Sequence, residues 1–522
     1  MKPLKSSVHS VSDELLIIDN AADMLQKKLG RHLQTNNNLM AINAIVQNFL
    51  KTNKTVVFGG LAINNLLPEN ERFYNTDTET PDYDIYSSSA LMHAKLLCDI
   101  LYKSGHKIVE ARSSALHPEV YKIFVNFIPI VDLVQYDKYV FDILYDDSVK
   151  SEGINYASPD YLRLNVYKEF AAPNEDPTRW NKIYTRLNLL NKFHPFIENE
   201  NCSMTKFTRD FVGDDVVKNN AYNIVKNTLM KEDVIFLGAF ACNLYKKYNN
   251  KNKSVGIKSD NPDFEVLSTI PKIVANNVKE NLKKNGFINI WIVRHLTASQ
   301  KISTRYEIFI DQNSICVIYE PTNGCYGYNS LMINNKKVNI ATIDTMLFFL
   351  IALRYVSTKE YNINRVMCMA QFMFHIQNEN ILNQKGIFKR FDVDCYGNNK
   401  TFYDKKGDRA ILYNNLKRRK NSKKDIYDKY FFKYNPGEDG DFTNTNTNNT
   451  NNTNNNNTNN NNNTNTNNTN TNNTNNTNTN NSNRNRYRSY TPVGYSTRRY
   501  KHHKKKTSST HKKRKGFFGT FF

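Results

Sequence analysis

The sequence predicts an α/β (α+β) fold in which one small mixed sheet with flanking helices occurs twice in tandem, the second copy degenerate, ahead of a disordered C-terminal tail. Three observations carry this. Strand-like and helix-like periods alternate through the first 442 residues, apolar runs recur there at a nearly constant offset, and Thr443 to Asn481 contains only Asn and Thr. At 522 residues the chain is long enough for about three domains.

The repeat is visible residue by residue. Val57-Phe58-Gly59-Gly60 matches Phe236-Leu237-Gly238-Ala239, and Pro81-Asp82-Tyr83-Asp84-Ile85 matches Pro262-Asp263-Phe264-Glu265-Val266. Tyr121 to Val125 matches Tyr306 to Ile310, and Ala157-Ser158-Pro159-Asp160 matches Ala341-Thr342-Ile343-Asp344. The matches keep their order, and their offset drifts by only a few residues, as in a duplicated domain with loop insertions.

Within the first copy, Met40, Ile42, Ile45, Val46 and Phe49 have helical spacing, and a β-rich run, Thr55 to Phe58, leads into Gly59-Gly60 and a helix from Leu61. Strands are expected around Tyr83–Tyr86, Ile108–Ala111, Tyr121–Phe127 and Ile130–Val134. Ser158 reads as an N-cap, with Pro159 at the first helical position, where its missing N–H costs nothing. From Arg179 to Leu190, Trp180, Ile183, Tyr184, Leu187 and Leu190 form a core face, while Arg179, Lys182 and Arg186 form a cationic one. That second face is either simply solvated or a contact for nucleic-acid phosphate.

The chain thus divides into an N-terminal extension (1–38), a first unit with its following helices (39–200), a second unit (201–385), a basic segment (386–442), an Asn/Thr linker (443–482) and a basic tail (483–522). The linker has too little apolar surface to offset its ordering entropy. The tail carries thirteen Lys or Arg, no acid, and Tyr487, Tyr490, Tyr495 and Tyr500 interleaved. Such an arm suits single-stranded nucleic acid, or serves as an import-like or solubilising tail.

Charge points the same way: 71 Lys+Arg against 49 Asp+Glu gives a net +22, of which the tail holds +13 and the rest of the chain +9. Such a surplus favours a polyanionic partner. The longest apolar stretch, Met346 to Leu353, is too short for a bilayer span, and the N-terminus does not read as a secretory signal. Seven cysteines without a C-x-x-C pair indicate neither a disulfide framework nor a zinc site, and a reducing compartment is expected. His106, His117 and His295 lack metal-ligand spacing, and the run Lys417 to Lys424 reads as a solvated helix face or an extension of an RNA path.

The residues with chemical potential are acids. Asp82 and Asp84, one residue apart on an expected strand, project from one face with Cα atoms roughly 7 Å apart. Asp132 sits in the apolar run Ile128 to Leu133, where an unpaired charge would be costly. Three carboxylates suit a hard divalent cation shared with phosphate oxygens. Acids spaced i, i+2 also occur at Glu69/Glu71 and Asp392/Asp394, so the pair counts only in its ordered setting. That setting is a strand, Gly59-Gly60 and a helix whose first N–H groups can face a triphosphate, then the acid pair, then the strand with Asp132. Together they indicate metal-dependent nucleotidyl transfer.

At these residues the sequence resembles the polymerase-beta-like nucleotidyltransferase superfamily: Phe58-Gly59-Gly60, Asp82-Tyr83-Asp84-Ile85 and Asp132 follow its pattern, although the gap from Gly60 to Asp82 is longer than in cellular members. That gap, Pro81-Asp82-Tyr83-Asp84 and Arg179 to Leu187 look like the poly(A) polymerase catalytic subunits of giant amoebal viruses, and more distantly the poxvirus enzyme. The resemblance implies a two-metal polynucleotide adenylyltransferase using Mg2+ or Mn2+ and adding ATP-derived adenylate to mRNA 3′ ends. It implies catalytic and metal-binding roles for Asp82, Asp84 and Asp132, with Gly59 and Gly60 at the nucleotide. Asn165 and Lys168 are candidates for base and ribose, and Arg179, Lys182 and Arg186 for RNA.

The second copy has Ala239 for Gly60, Glu265 for Asp84 and Val317 for Asp132, so it is expected to be inactive, giving structural support or else RNA binding or dimerisation. The resemblance also implies a homodimer, or a separate processivity partner such as a cap-modifying methyltransferase, no membrane association, and a place in host-cytoplasmic viral factories or the virion. Another nucleotidyltransferase, acting on tRNA ends or small molecules, and an inactive RNA-binding scaffold stay open as alternatives.

Overall fold

A computed structural model describes residues 37–440 apart from 75–80, 116, 174–176, 197–198, 204–206, 250–262, 297–303, 322–323, 357–361, 392, 398–399 and 401, together with six positions before residue 26. The expected Asn/Thr linker and basic tail, and most of the expected N-terminal extension, lie outside the described residues.

The first copy runs α1 (Asn37–Thr52), β1 (Val56–Phe58), α2 (Gly59–Leu66), β2 (Tyr83–Ser87), α3 (Ala90–Lys103), β3 (Val109–Ser113), β4 (Val120–Val125), β5 (Ile128–Gln135), α4 (Lys138–Asp146), β6 (Val149–Ser151), β7 (Ile154–Tyr156), α5 (Pro159–Ala171) and α6 (Trp180–Phe193). The second runs α7 (Asp215–Leu229), β8 (Ile235–Leu237), α8 (Gly238–Tyr248), β9 (Phe264–Leu267), α9 (Pro271–Lys284), β10 (Ile290–His295), β11 (Arg305–Ile310), β12 (Asn313–Tyr319), β13 (Cys325–Ile333), β14 (Lys336–Ala341), α10 (Ile343–Arg354) and α11 (Ile363–Glu379). β15 (Cys395–Gly397), α12 (Phe402–Lys417), α13 (Lys424–Phe431) and β16 (Lys433–Tyr434) follow.

Each copy builds one mixed sheet, and the two strand orders correspond. The first is β16-β3-β4-β5-β2-β1-β7-β6 and the second β10-β11-β12-β9-β8-β14-β13-β15. Apart from β16 and β15, which join at opposite ends, strand for strand the two are the same. Even a register irregularity recurs, at Ile123/Phe124 in β4 and at Ile308/Phe309 in β11. A duplicated topology with a duplicated bulge is what the repeat in the sequence requires.

Local sequence explains the framing elements. Ser158 caps α5 by accepting from the Tyr161 N–H, with Pro159 in the first turn, and Thr342 caps α10 by accepting from Thr345. α10 is buried from Ile343 to Leu353, which accounts for the longest apolar run as a core helix. Among the described residues no helix is long and apolar enough to cross a membrane. In α1, Ile42, Val46 and Phe49 are buried as their spacing predicts, whereas Met40 points to solvent.

Polar groups join the copies. Arg354, at the end of α10, donates to Asp147 at 2.7 Å and Asp160 at 2.9 Å, and the Tyr355 hydroxyl donates to Asp147 at 2.8 Å. Arg390, in the segment after the second copy, forms a fully buried fork with Asp344 of that copy at 2.6 and 3.0 Å. The expectation of no disulfides is corrected here: Cys202 is bonded to Cys368 and Cys325 to Cys395, while Cys98, Cys242 and Cys316 are free and buried. The partners lie 166 and 70 residues apart, a separation that only the tertiary fold brings together.

Candidate active site

The first sheet gathers the sequence-predicted acids. Asp82 lies immediately before β2, one residue short of the strand on which it was expected, and Asp84 is the second residue of β2. Alternation keeps their side chains on one face. Asp84 pairs in register with Phe58 of antiparallel β1 on one side and with Asp132 of parallel β5 on the other. Asp84 is therefore central, with Asp132 beside it and the glycine turn directly after its other neighbour.

Gly59 has φ of +72°, and a Cβ there would come within 2.5 Å of Asp84 Oδ2. Both the left-handed backbone and the approach of the carboxylate demand glycine. The turn starts α2 without a side-chain cap, leaving its first N–H groups available to an anion.

The acids perturb one another. Burial first, then the charges of Asp82 and Asp132, push the Asp84 carboxyl up to about 7. Asp82 is also raised, by desolvation from the surrounding protein and then by Asp132, although one side of it is open to solvent and damps the effect. Lys122, register partner of Asp132 on antiparallel β4, forms an ion pair with it and partly offsets the crowding. Among the described residues no three His, Cys, Asp or Glu side chains already converge as a metal cluster. The donor set nonetheless fits a hard divalent cation: it is all oxygen, its negative charges are crowded beyond what Lys122 neutralises, and burial and the two neighbouring acids raise the Asp84 carboxyl to about 7.

The other predicted residues are spread around this centre. Asn165 of α5 donates to the Tyr86 hydroxyl at 3.3 Å, and Tyr86 stacks on Phe58 at 3.7 Å between ring centroids. Asn165 thus reaches the sheet face two residues beyond Asp84. Lys168 is one helical turn farther along α5 and makes no ion pair among the described residues. Arg179 lies 3.5 Å from Glu169, and its charge and that of Lys182 both act on Asp82. Arg186 lies against Gly60, where a Cβ would meet its Nη1 at 2.6 Å. Three participants escape sequence reading: Lys122, visible only through strand register, and Phe73 and Tyr74, which pack on Arg186 from the long gap after Gly60.

The second sheet repeats the frame with a different set of side chains. Gly238 has φ of +58°, and Glu265 occupies the place of Asp84. The register partner of Glu265 on parallel β12 is Val317, as the alignment predicts. Asp263 and Glu265 are buried and both hydrogen-bond Arg209, with the Glu265 contact at 2.5 Å. Arg365 closes the cluster at 3.5 Å from Glu265 and 3.9 Å from Asp263. Burial alone would lower the Arg209 guanidinium, but Asp263 and Glu265 raise it overall. Two guanidinium groups thus pair with the acids of the second copy, where the first copy's carboxylates are only partly compensated by Lys122.

The fold, two tandem mixed sheets with flanking helices, is like that of a polyadenylate synthase of known structure. Residues 44–176, which hold the glycine turn and all three acids, match the family described as poly(A) polymerase catalytic subunit. A protein of Acanthamoeba polyphaga mimivirus, provisionally described as such a subunit, is 31% identical over 163 residues, covering 30% of this chain and 26% of that protein. A counterpart from an African swine fever virus isolate, with the same provisional description, is 27% identical over 157 residues, covering 29% of this chain and 32% of its own. The matched part therefore spans about a quarter to a third of these relatives. The crystal structure of the Megavirus polyadenylate synthase superimposes with a TM-score of 0.68 at 18% identity, covering 84% of this chain and 89% of that one, and this likeness extends the fold over both copies.

Proposed function

We propose that the protein is a polynucleotide adenylyltransferase that extends the 3′ end of mRNA with adenylate from ATP. The observation that carries this is the meeting of Asp82, Asp84 and Asp132 beside the Gly59 turn, with the Asp84 carboxyl raised to about 7 by burial and by the other two acids. In this reading Asp82, Asp84 and Asp132 hold Mg2+ or Mn2+, which when bound supplies charge neutralisation to the phosphates and acidifies the attacking hydroxyl.

The chain's own groups do the rest. The backbone at Gly59 and Gly60 receives the triphosphate at the start of α2. Asp132, at the edge of the trio, takes the proton of the RNA 3′-hydroxyl as that oxygen attacks the α-phosphate and pyrophosphate leaves. Lys122 holds the Asp132 carboxylate in orientation. Most of the acceleration then comes from positioning and fixed charge.

The second sheet has no part in this step, since Val317 supplies no carboxylate and Arg209 holds Asp263 and Glu265. Primer extension on a short RNA with each nucleoside triphosphate, with and without Mg2+, tests the reading. Lengthening by ATP in preference to the other three, only with the cation, is expected. Equal use of all four, or a single added nucleotide, would instead favour another nucleotidyltransferase.

A further inference from the structure

Arg186, a candidate RNA contact, is wedged into the glycine turn. Its Nη2 donates to the Tyr74 hydroxyl at 2.7 Å, and its guanidinium lies 4.7 Å from the Phe73 ring centroid. The backbone N–H groups of Phe73 and Tyr74 both donate to Asn64 Oδ1 at 2.9 Å, and Asn64 is fully buried on α2. The helix that begins at Gly59 therefore holds, through Asn64 and Tyr74, a cation over its own first turn. Lys192 of α6 pairs with Glu71 at 2.8 Å, and His194 meets the Leu66 carbonyl at 2.7 Å, so the same segment is tied to α6 at its other end.

The charge balance is uneven. Among the described residues no carboxylate lies within ion-pair distance of Arg186. The Lys182 ammonium, one turn earlier, is lowered by desolvation and then by the neighbouring Arg186 and Arg179. Cations gather at the start of α6 next to acids at the start of β2 and on β5. The charges of Asp82 and Asp84 act on Lys182, the third residue of α6, so the start of this helix faces the carboxylates; in the second copy Arg365, the third residue of α11, reaches Glu265.

From this placement we propose that Arg186, positioned by Tyr74, binds the β- and γ-phosphates of the incoming triphosphate and the departing pyrophosphate, and does not bind RNA. The assignment rests on the nucleotidyl-transfer reading above. A planar guanidinium fork suits two phosphate oxygens, and its half-buried place against Gly60 is where the backbone would receive the same phosphates. An RNA strand would need the exposed side of α6. The long gap from Gly60 to Asp82 then has a purpose, because it supplies Phe73 and Tyr74. In the second copy Ala239 stands at the Gly60 position, with the methyl group that would displace such a cation.

The test uses the full chain as wild type, Arg186→Ala, Arg186→Lys and Tyr74→Phe. It measures the KM for ATP, inhibition by pyrophosphate, and the Kd of an RNA primer without ATP. Arg186→Ala should raise the first two constants together by about tenfold to a hundredfold, as expected for lost charged hydrogen bonds, and leave the primer Kd within about twofold. Arg186→Lys should fall between, and Tyr74→Phe should raise the same pair by about threefold, a small hydrogen-bond loss. A weakened primer Kd with unchanged ATP and pyrophosphate constants would overturn the proposal, and so would no change in any constant.

Should Arg186→Ala fail to fold, Arg186→Lys and Tyr74→Phe carry the same comparison. Calorimetric titration with Mg2+-pyrophosphate needs no turnover. If wild type extends no RNA yet binds pyrophosphate through Arg186, the functional reading fails and this assignment stands.

Discussion

Arg209 donates to Glu265 at 2.5 Å at the position in the second sheet that Asp84 holds in the first. The first copy keeps its carboxylates short of counter-charge, and the second supplies the counter-charge from its own chain. Removing one partner of a buried ion pair leaves an uncompensated charge, at roughly 3 to 5 kcal/mol. Arg209→Met should therefore lower the stability of the second copy by about that amount in urea unfolding, whereas Lys122→Met, at a half-exposed pair, should cost about 1 kcal/mol or less. Equal costs would contradict the contrast between the two sites.

The raised Asp84 carboxyl gives the metal-free protein a pH signature. Its folded pKa of about 7 exceeds its unfolded value of 3.8, so the folded state binds the proton more tightly. The stability this confers is fully present below pH 3.8 and is lost as pH rises through about 7. In EDTA, the Asp84 contribution should fall between pH 5.5 and pH 8, within a total of up to roughly 4 kcal/mol. Asp84→Asn should remove that slope and stabilise the metal-free protein at pH 8, as read by urea unfolding at both pH values. An unchanged slope in the variant would place the titrating group elsewhere.

Lys122 lowers the proton affinity of Asp84 through its charge. Lys122→Met should therefore move the acid limb of the pH–rate profile to higher pH, with activity recovering in alkaline buffer. A uniform loss at every pH would mean that Lys122 acts only by placing Asp132.

The fold was legible because duplication writes the same pattern twice. Gly59/Gly238, Asp84/Glu265 and Asp132/Val317 could be paired from sequence, and strand register pairs them the same way. What stayed hidden depends on contacts between distant segments. Cys202–Cys368 and Cys325–Cys395 close across 166 and 70 residues, and Tyr74 meets Arg186 across 112. Helical spacing sets Arg186 apart from the core face of α6 but cannot say that Gly60 lies beneath it. Lys122 and Asp132 face each other through a hairpin register that a bulge shifts, which spacing alone does not reveal.

The disulfides make a separate prediction. Alkylation of the native protein should leave all seven cysteines unmodified, since four are bonded and Cys98, Cys242 and Cys316 are buried. Unfolding without reductant should expose three, and reduction should lower the melting temperature, each closed loop contributing about 2 to 4 kcal/mol. Seven alkylated cysteines after unfolding without reductant would show the bonds absent.

The most direct measurement is ATP-dependent extension of an RNA primer by the wild type and by Asp84→Asn, compared at equal folded concentration with Mg2+. The account predicts that the wild type lengthens the primer by many adenylates and that Asp84→Asn, still folded and still binding RNA, loses at least about a thousandfold in rate, as expected when a centrally placed charge of such a site is removed. Extension by Asp84→Asn at a rate near wild type would contradict it.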